Sequence, residues 1–358
     1  MNLELQFLPA RQGDAIWIRW GDGRQLFVDM GTEQTGNAIA SRLAALPENK
    51  RRFDLLVVTH VDADHIGGVL TCVADRTDPI PGLGFGDVWF NGWDHLHGRK
   101  TPACSTTLEE MGPAQGERLA GWLRDQPWNA AFDRGPVVRG LSHELDGLRL
   151  AVLGPTQTRL YALRDTWKAE VEIAFAKGTL TEPLAGLEAF GSTTPPTLAS
   201  QIDLELLAGG NSKDPSLTNA TSIVLLLEWA GRRILLTGDA LAADLVDAVE
   251  TLGRGAPAAF DLVKVPHHGS RQNLSADLAA VVDCPTWLFS SDGSIFHHPD
   301  APAVARLLRY GKPPHTLAFN VSSRFNEFWQ NPTWQGLFQY DVQYGDPRDG
   351  LTITFEPT

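Results

Sequence analysis

The chain has 358 residues, of which 43% are hydrophobic and 20% are charged, and its formal net charge is −13. This composition is typical of a globular protein with a sizeable core and excludes a disordered or fibrous chain. No apolar run reaches the roughly 18–20 residues that cross a bilayer, and the N-terminus lacks the basic and then apolar pattern of a signal peptide. We therefore expect a cytoplasmic protein without a membrane segment.

The charge and the cysteines narrow the possible chemistry. The acidic balance disfavours a protein that binds nucleic acid through a broad basic surface. Cys72, Cys104 and Cys284 are odd in number, far apart and outside any CxxC pair. They predict reduced thiols rather than a disulfide framework or a cysteine-bound zinc ion.

The N-terminal third predicts strands that alternate with helices. Apolar runs of strand length occupy residues 3–8, 15–20 and 25–29, and residues 55–58 are typical of a buried strand. Helical patterns follow at 36–46, which ends before Pro47, and at 66–74. A short strand is expected at 88–91 and a helix at 112–124.

The second half of the chain repeats this alternation. Strands are predicted at residues 148–153, 221–229, 233–237, 261–265, 286–290 and 316–320, and helices at 241–252, 275–282 and 301–310. Strands and helices that alternate, with polar residues at the strand ends, indicate one layered α/β domain over residues 1–358.

Two stretches depart from the alternation. Residues 156–215 combine a helix-like part, 158–178, with a loop rich in Pro, Gly, Ser and Thr, which indicates an insertion that covers one edge of the site. Residues 321–358 form an aromatic-rich C-terminal extension. Its rings predict either a platform on which bases stack or, as we favour, an edge of the core with a closing hairpin that includes residues 351–355.

The most informative stretch is residues 59–68, Thr-His-Val-Asp-Ala-Asp-His-Ile-Gly-Gly. His60, Asp62, Asp64 and His65 fall within six positions, between a buried strand and a Gly-Gly pair. An exposed polar turn would need one or two such groups rather than four. Two imidazoles and two carboxylates in so small a volume suit borderline divalent metals such as zinc or manganese.

This stretch resembles the His-x-His-x-Asp-His signature of the metallo-β-lactamase superfamily, with Asp62 where most members have the second His. The variant His-x-Asp-x-Asp-His-Ile-Gly-Gly is similar to the hydrolase domain of ComEC-type competence proteins and their free-standing relatives. Further segments resemble motifs of that family in the same order: residues 7–18 (FLPARQGDAIWI), 27–31 (FVDMG), 219–227 (NATSIVLLL), 234–240 (ILLTGDA), 264–270 (KVPHHGS) and 294–299 (SIFHHP). The resemblance implies an αββα metallo-β-lactamase-like sandwich, with ligands bound where strand ends converge.

The resemblance also implies a centre for up to two divalent metal ions, zinc or manganese. The implied ligands are His60, Asp62, Asp64, His65, Asp239 and one of His267 and His268. The first two would hold one ion, the second two would hold the other, and Asp239 would bridge them. His267 or His268 would complete one of the two ligand sets.

One element of the superfamily pattern is missing, namely a histidine between the second motif and the bridging aspartate. His95, His97 and His143 are the only histidines in that interval, and none lies in a Gly-x-His strand-end context. We interpret them as structural or exposed, which predicts a weaker first metal position. The carboxylate of Asp62 is a harder ligand than imidazole and shifts the preference toward manganese or magnesium.

Further roles follow from the resemblance. Asp64 and His298 are the candidate catalytic residues, and His298 would lie near the leaving group, where it could donate a proton. Asp29 would orient a site histidine, whereas Asn219 and Ser222 would support the Thr-Gly-Asp strand or touch substrate. The candidates for a phosphate clamp are Lys264, Ser270 and Arg271. Lys264 lies in a strand and could equally point away.

Three classes of function are compatible with the sequence. The leading hypothesis is a metal-dependent hydrolase of phosphodiesters, most simply a nuclease that acts on DNA or RNA through a metal-activated water. The alternative is a hydrolase of small esters, lactones, β-lactams or small phosphodiesters, including nucleotide signals. A degenerate fold that serves as a binding module is disfavoured by the intact set of metal-competent residues.

Overall fold

The structure is a computed structural model that describes residues 2–101, 114–167, 203–210 and 212–358. Its strands, numbered in chain order, are β1 (Leu3–Phe7), β2 (Ala15–Trp20), β3 (Arg24–Met30), β4 (Arg52–Phe53), β5 (Leu55–Val57), β6 (Gly84–Phe85), β7 (Val88–Trp89), β8 (Ser142–Leu145), β9 (Leu148–Gly154), β10 (Val224–Trp229), β11 (Arg232–Leu236), β12 (Ala258–Ala259), β13 (Leu262–Lys264), β14 (Val282–Asp283), β15 (Thr286–Phe289), β16 (His315–Phe319), β17 (Tyr340–Tyr344) and β18 (Leu351–Phe355). The α-helices are Glu33–Ala45, Ala63–Val69, Trp93–Leu96, Ala114–Leu123, Gln157–Arg164, Leu204–Ala208, Ala242–Gly253, Ala276–Val281, Ala301–Tyr310 and Pro332–Phe338.

Most of the strands form two main sheets. The first has six strands in the order β18-β1-β2-β3-β5-β7, and the second has eight in the order β17-β16-β15-β13-β11-β10-β9-β8. Parallel pairing joins β3, β5 and β7 in the first sheet and β11, β13, β15, β16 and β17 in the second. Polar residues follow β5 in the first sheet and β11 and β13 in the second, and parallel strands bring such ends to one edge of each sheet.

Alternation along the strands builds three hydrophobic layers. In β10, Leu225 and Leu227 point into the space between the sheets, whereas Val224 and Leu226 pack outward. Helices Glu33–Ala45 and Ala63–Val69 contribute to the core on the outer face of the first sheet. Helices Ala242–Gly253, Ala276–Val281 and Ala301–Tyr310 contribute to the core on the outer face of the second. The predicted αββα sandwich is confirmed.

The predicted C-terminal hairpin is wrong. β17 extends the second sheet beside β16, whereas β18 pairs with β1 in the first sheet, where Phe355 lies opposite Leu3. The chain therefore crosses from one sheet to the other, since each sheet has a free edge that one strand can extend. Trp329 and Trp334 are buried in the outer core of the second sheet, so these rings are structural rather than a surface for stacking bases.

Only the ends of the predicted insertion lie within the described residues. Helix Gln157–Arg164 packs into the outer core of the first sheet, and helix Leu204–Ala208 packs into that of the second. The remainder of the predicted helix at 158–178 and most of the loop fall outside the described residues, as does Cys104. Cys72 and Cys284 are buried free thiols.

Among the described helices, none combines the length and the apolar character that crossing a membrane requires.

Candidate metal centre

A sharp connection between a strand and a helix positions the first four candidate ligands. β5 ends at Val57, and the next helix begins at Ala63 rather than at the predicted residue 66. The helix starts early because the amides of His65 and Ile66 donate to the carbonyl oxygen of Asp62. Asp64 and His65 therefore lie in the first helical turn, while the other two candidates lie in the connection before it.

Two glycines allow close backbone approaches around this connection. A Cβ atom on Gly68 would lie 1.8 Å from the carbonyl oxygen of Met30, so only glycine lets the helix lie this close to β3. A Cβ atom on Gly13 would lie 1.8 Å from the carbonyl oxygen of Asp64. The turn that contains Gly13 therefore carries the next residue, Asp14, against the candidate ligands.

The carboxylate of Asp239, which follows β11, lies at the centre of the cluster. Its Oδ2 atom lies 3.3 Å from Nε2 of His65, 3.5 Å from that of His268, 3.7 Å from that of His267 and 4.0 Å from that of His60. The carboxylate is 1% exposed. One buried oxygen thus faces four imidazoles, although these residues are up to about 200 positions apart in sequence.

The other ring nitrogen of each imidazole is held by the protein. Nδ1 of His60 lies 3.0 Å from Oγ1 of Thr59, and Nδ1 of His65 lies 2.8 Å from Oδ2 of Asp29. Nδ1 of His268 lies 2.8 Å from the carbonyl oxygen of Ser290, and Nδ1 of His267 lies 3.1 Å from Oδ1 of Asn273. Metal-binding histidines commonly show this pattern, because a bond at one ring nitrogen fixes the orientation of the other.

Three of the inward nitrogens are buried without a hydrogen bond among the described residues. Within the described part of the chain, Nε2 of His60, His65 and His268 is buried without a hydrogen bond, as is Oδ1 of Asp239. Buried polar atoms are usually satisfied, so a group of orphans at one point indicates a missing ligand. His60, His65 and Asp239 offer ligand atoms within 4.8 Å of one another, and so do Asp64, His65 and His268. These donor sets fit a divalent metal ion.

Three residues at this site have strained backbones. Asp29, His267 and His268 all have left-handed backbones, with φ of 54°, 46° and 54°. This region is unfavourable for most non-glycine residues, and surrounding structure must stabilise residues held there. The strain aims three side chains into one small volume, which is typical of functional sites.

Charge interactions are strong in this buried cluster. Burial alone would raise the pKa of Asp239, but the imidazolium charges of His268, His65 and His267 hold it well below its ordinary value. Burial alone would lower the pKa of His65, but the carboxylates of Asp239 and Asp29 hold it well above its ordinary value. Burial and the charge of His65 lower the pKa of His60 to about 4. The carboxylates here therefore attract positive charge, as a cation site requires.

Asp14 also belongs to this cluster, although its sequence context does not mark it as a site residue. It is 1% exposed, and its Oδ1 lies 3.5 Å from Nδ1 of His268. Its Oδ2 forms an ion pair with Nζ of Lys264. The only sequence signal was its place in the Gln-Gly-Asp turn, about 50 residues before the main motif.

Lys264, one of the candidates for a phosphate clamp, has protein partners inside the fold. The side chain is fully buried, and its ammonium donates to the carbonyl oxygen of Gly238 at 3.1 Å. It also lies 3.8 Å from Oδ1 of Asp239. From its position in β13, the side chain points into the sandwich, toward Asp14, rather than to solvent.

The remaining candidates lie around the cluster. Ser222 accepts a hydrogen bond from the amide of Asp239 at 3.2 Å, which supports the Thr-Gly-Asp turn. Ser270 is 4% exposed, and its hydroxyl accepts from the amide of Gln272. Arg271 is partly exposed, and its amide donates to Asp300 at 2.8 Å. Of the three residues predicted to clamp a phosphate, Arg271 alone offers a cation that is not buried.

Asp62 and His298 lie beside two different histidines of the cluster. Oδ1 of Asp62 is 3.9 Å from Nε2 of His60. His298 is 3% exposed, its ring centroid lies 5.6 Å from that of His267, and its Nδ1 lies 3.7 Å from Oδ1 of Asp300. Among the described residues, neither ring nitrogen of His298 makes a hydrogen bond.

The three histidines of the central interval lie elsewhere. His95 is buried, accepts from the amide of Gly92 at 3.0 Å and lies 3.1 Å from the carbonyl oxygen of Arg134. His97 stacks edge-on against Trp93. In the described part of the chain, no metal-competent cluster contains His95, His97 or His143.

Comparison with solved structures gives distant likenesses. The metallo-beta-lactamase fold protein YhfI from Bacillus subtilis is 8% identical, with a TM-score of 0.40 over 99% of this chain and 100% of that chain. Zn(2+)-bound PqqB from Methylobacterium extorquens is 12% identical, with a TM-score of 0.38 over 99% of each chain. The diiron beta-hydroxylase CmlA from Streptomyces venezuelae is 12% identical, with a TM-score of 0.41, and the present chain covers 54% of its length. Likenesses this distant do not specify a substrate.

Sequence comparison is informative for one segment. No curated protein matches the chain in sequence. A family model does match residues 8–79, which contain the turn of Asp14, the strand of Asp29 and the ligand-rich connection. This segment, residues 8–79, is thus similar to the metallo-beta-lactamase superfamily.

Proposed function

We propose that this protein is a metal-dependent hydrolase of phosphodiesters, with nucleic acid as its substrate class. The observation that carries the proposal is the convergence of four imidazoles on Oδ2 of Asp239. A binding module would gain nothing from the cost of burying so many unpaired polar atoms. A metal centre accounts for them together.

In this proposal the site holds up to two divalent ions, manganese or zinc, through the ligands identified above. Such ions lower the pKa of a bound water and neutralise charge on phosphoryl oxygens. Carboxylates supply a large share of the donor atoms. Such a site favours manganese more than an all-histidine site does. Asp29 would position His65, and Ser222 would position Asp239. Neither would touch substrate.

Two residues of the chain would take part directly in the reaction. Asp64 is partly exposed, with Oδ2 at 3.5 Å from Nε2 of His268, and would bind an ion and orient the attacking water. His298 would donate a proton to the leaving oxygen. Neither of its nitrogens makes a hydrogen bond among the described residues, and Asp300 lies beside it. Both features support this role, because a buried imidazole is costly unless a ligand uses it. Arg271 would bind the phosphate.

A second candidate function is the hydrolysis of small esters, lactones or small phosphodiesters, including nucleotide signals. The net charge of −13 favours it, because a polyanion approaches an acidic surface poorly. The burial of Lys264 also favours it, since one of the expected phosphate contacts is lost.

A substrate panel separates the two functions. The metal-free protein would be reloaded with Mn²⁺, Mg²⁺ or Zn²⁺ and assayed on bis-p-nitrophenyl phosphate, single-stranded and duplex DNA and RNA, nitrocefin and a lactone. We expect metal-dependent cleavage of the phosphodiesters and of at least one polymer, with a shallow dependence on salt because few phosphates are contacted. Turnover of the lactone or of a small phosphodiester, without cleavage of any polymer, would favour the second function.

A further inference from the structure

A second group of buried polar atoms without hydrogen bonds lies beside the metal cluster, where the ring of His298 is 5.6 Å from that of His267. Among the described residues, Nδ1 and Nε2 of His298, Oδ1 of Asp300 and Nε of Arg271 are all buried without a hydrogen bond. None of the metal-competent groups in the described part of the chain contains His298 or Asp300. A guanidinium and an imidazole suit the oxygens of a phosphate ester better than a metal ion.

Asp300 lies at the centre of this second group. Its Oδ2 atom accepts from the amide of Arg271 at 2.8 Å, and its Oδ1 atom lies 3.7 Å from Nδ1 of His298. The residue is 2% exposed. Burial alone would raise the pKa of Asp300, but His298 and Arg271 hold it below its ordinary value. One buried carboxylate thus links the imidazole to the loop that carries the guanidinium.

Asp300 does not use this carboxylate to cap its own helix. It is the N-cap residue of helix Ala301–Tyr310, a position at which aspartate commonly accepts from the first free amides. In this fully described helix the N-cap side chain makes no such bond. The N-cap side chains of helices Leu204–Ala208 and Ala276–Val281, by contrast, do accept an amide. The carboxylate of Asp300 is therefore available to the neighbouring loop and to His298.

The same helix fixes the backbone around Arg271. The amide of Asp300 donates to the carbonyl oxygen of Gly269 at 3.0 Å. The guanidinium of Arg306, 4% exposed, donates to the carbonyl oxygen of Arg271 and to that of Leu274 at 3.1 Å. Both backbone polar groups of Arg271 are thus bound, since Asp300 accepts from its amide. The side chain of Arg271 remains for an external group.

We propose that Asp300 is a positioning residue that orients His298 through Nδ1 and holds Arg271 beside it, so that both act on one substrate phosphate. This inference rests on the proposed function and concerns a residue outside the metal centre. In the reaction, a hydroxide oxygen bonds to phosphorus while the bond from phosphorus to the leaving oxygen breaks, and the Nε2 proton of His298 passes to the leaving oxygen. The carboxylate accepts from Nδ1, which keeps Nε2 on the substrate side. Arg271 binds the phosphoryl oxygens.

The state of the His298 ring tests the proposal without metal or activity. In metal-free protein that is isotopically labelled at the histidine nitrogens, the NMR signals of His298 are those that His298→Ala removes. We expect a proton on Nδ1 in wild type, because Asp300 accepts from it. Asp300→Asn, whose amide oxygen keeps the bond to Arg271, should turn its NH₂ group toward the ring and move the proton to Nε2. An unprotonated Nδ1 in wild type, or no change in Asp300→Asn, would overturn the proposal.

The dependence of the rate on the leaving group tests the catalytic consequence. The p-nitrophenyl and phenyl esters of one nucleotide share the same phosphate, but the phenyl group leaves much more readily when it receives a proton. His298→Ala should lower kcat for the phenyl ester by at least about 100-fold and change kcat for the nitrophenyl ester far less. Asp300→Asn should show the same selectivity with a smaller loss. It should add nothing in the His298→Ala background.

Two further variants control for a merely structural role. Ser275→Ala removes the cap of helix Ala276–Val281, in which the serine hydroxyl accepts from the amide of Leu278 at 3.1 Å. It should lower the free energy of unfolding and leave both ester rates unchanged. Asp300→Glu keeps a carboxylate and should retain the Nδ1 proton and part of the phenyl ester rate. Urea unfolding in EDTA checks that each variant folds.

The outcomes separate this inference from the proposed function. Equal losses on both esters in Asp300→Asn, or a loss that persists in the His298→Ala background, would overturn the inference and leave the proposed function standing. A wild type that hydrolyses neither ester with Mn²⁺, Mg²⁺ or Zn²⁺ would overturn the proposed function instead. The NMR measurement would then still decide whether Asp300 orients His298.

Discussion

Asp29 and His65 form a buried hydrogen bond in which Nδ1 of the imidazole donates to Oδ2 of the carboxylate at 2.8 Å. The same carboxylate accepts from the amide and the hydroxyl of Thr59. Its backbone is left-handed, a conformation that asparagine also tolerates. Asp29→Asn therefore keeps the backbone and changes the charge behind His65.

Asp29→Asn should lower metal affinity by about 10- to 100-fold, because the partner of a metal-binding imidazole sets its basicity and orientation. Competition with a chromophoric chelator measures this affinity. Asp87→Asn is the matched control, since Asp87 is a buried carboxylate that accepts from Trp89 and backbone amides away from the site. It should reduce stability and leave metal affinity unchanged. Equal metal affinities in Asp29→Asn and wild type would exclude a role for Asp29 in the centre.

Asp64→Ala and Asp239→Ala should each abolish phosphodiester hydrolysis and leave the metal-free fold largely intact. Lys264 keeps Asp14 as its partner when Asp239 is removed, so no buried cation loses its only counter-ion. Hydrolysis of bis-p-nitrophenyl phosphate under saturating Mn²⁺, with circular dichroism of each variant, checks both parts. Wild-type turnover in either variant would show that the site is assigned to the wrong residues.

Lys264 should act on stability rather than on substrate binding. Lys264→Met leaves the buried carboxylate of Asp14 without its cation and should destabilise the protein by about 3–5 kcal/mol. The pair Asp14→Asn with Lys264→Met removes both charges and should recover most of that loss in urea unfolding. Arg271→Ala should instead raise KM for a phosphodiester with little change in unfolding. A KM increase in the stable double variant as large as that in Arg271→Ala would restore Lys264 as a substrate contact.

His95 should make the free energy of unfolding depend on pH. This effect does not involve the metal centre. Burial lowers its pKa from an ordinary value near 6.5 to about 4, so the unfolded chain binds a proton more readily than the folded one. Stability should therefore be full above about pH 6.5 and fall as the pH drops toward 4, by up to about 3 kcal/mol from this residue. Urea unfolding in EDTA between pH 7 and pH 4.5 measures it. His95→Asn, which retains an acceptor for Gly92, should show a shallower loss; an unchanged slope would contradict the assignment.

Much of the centre could be predicted because its signals are local. His60, Asp62, Asp64 and His65 lie in one connection after an apolar run, and Asp239 and His268 follow other apolar runs. Parallel strands then bring these ends together. The layered fold was predictable for the same reason, since period-2 patterns in strands such as β10 assign alternate residues to opposite faces.

The features that could not be predicted from the sequence depend on contacts between distant segments. The inward direction of Lys264 depends on the exact register of β13, and a shift of one residue would reverse it. Asp14, Asp214 and Asn273 are ordinary polar residues in turns until the fold places them beside histidines. The chain crosses between the sheets from β17 to β18 because each of these strands pairs with a free sheet edge. A short apolar run does not show which edge is free.

The central claim is that the imidazoles around Asp239 hold metal. The most direct test is a crystal structure of the Mn²⁺- or Zn²⁺-loaded protein, with anomalous diffraction measured on both sides of the metal absorption edge. We predict anomalous peaks about 2.0–2.3 Å from ligand atoms of Asp239, His65 and His268. Anomalous density that is absent from this cluster, or that lies only on surface residues, would contradict the account.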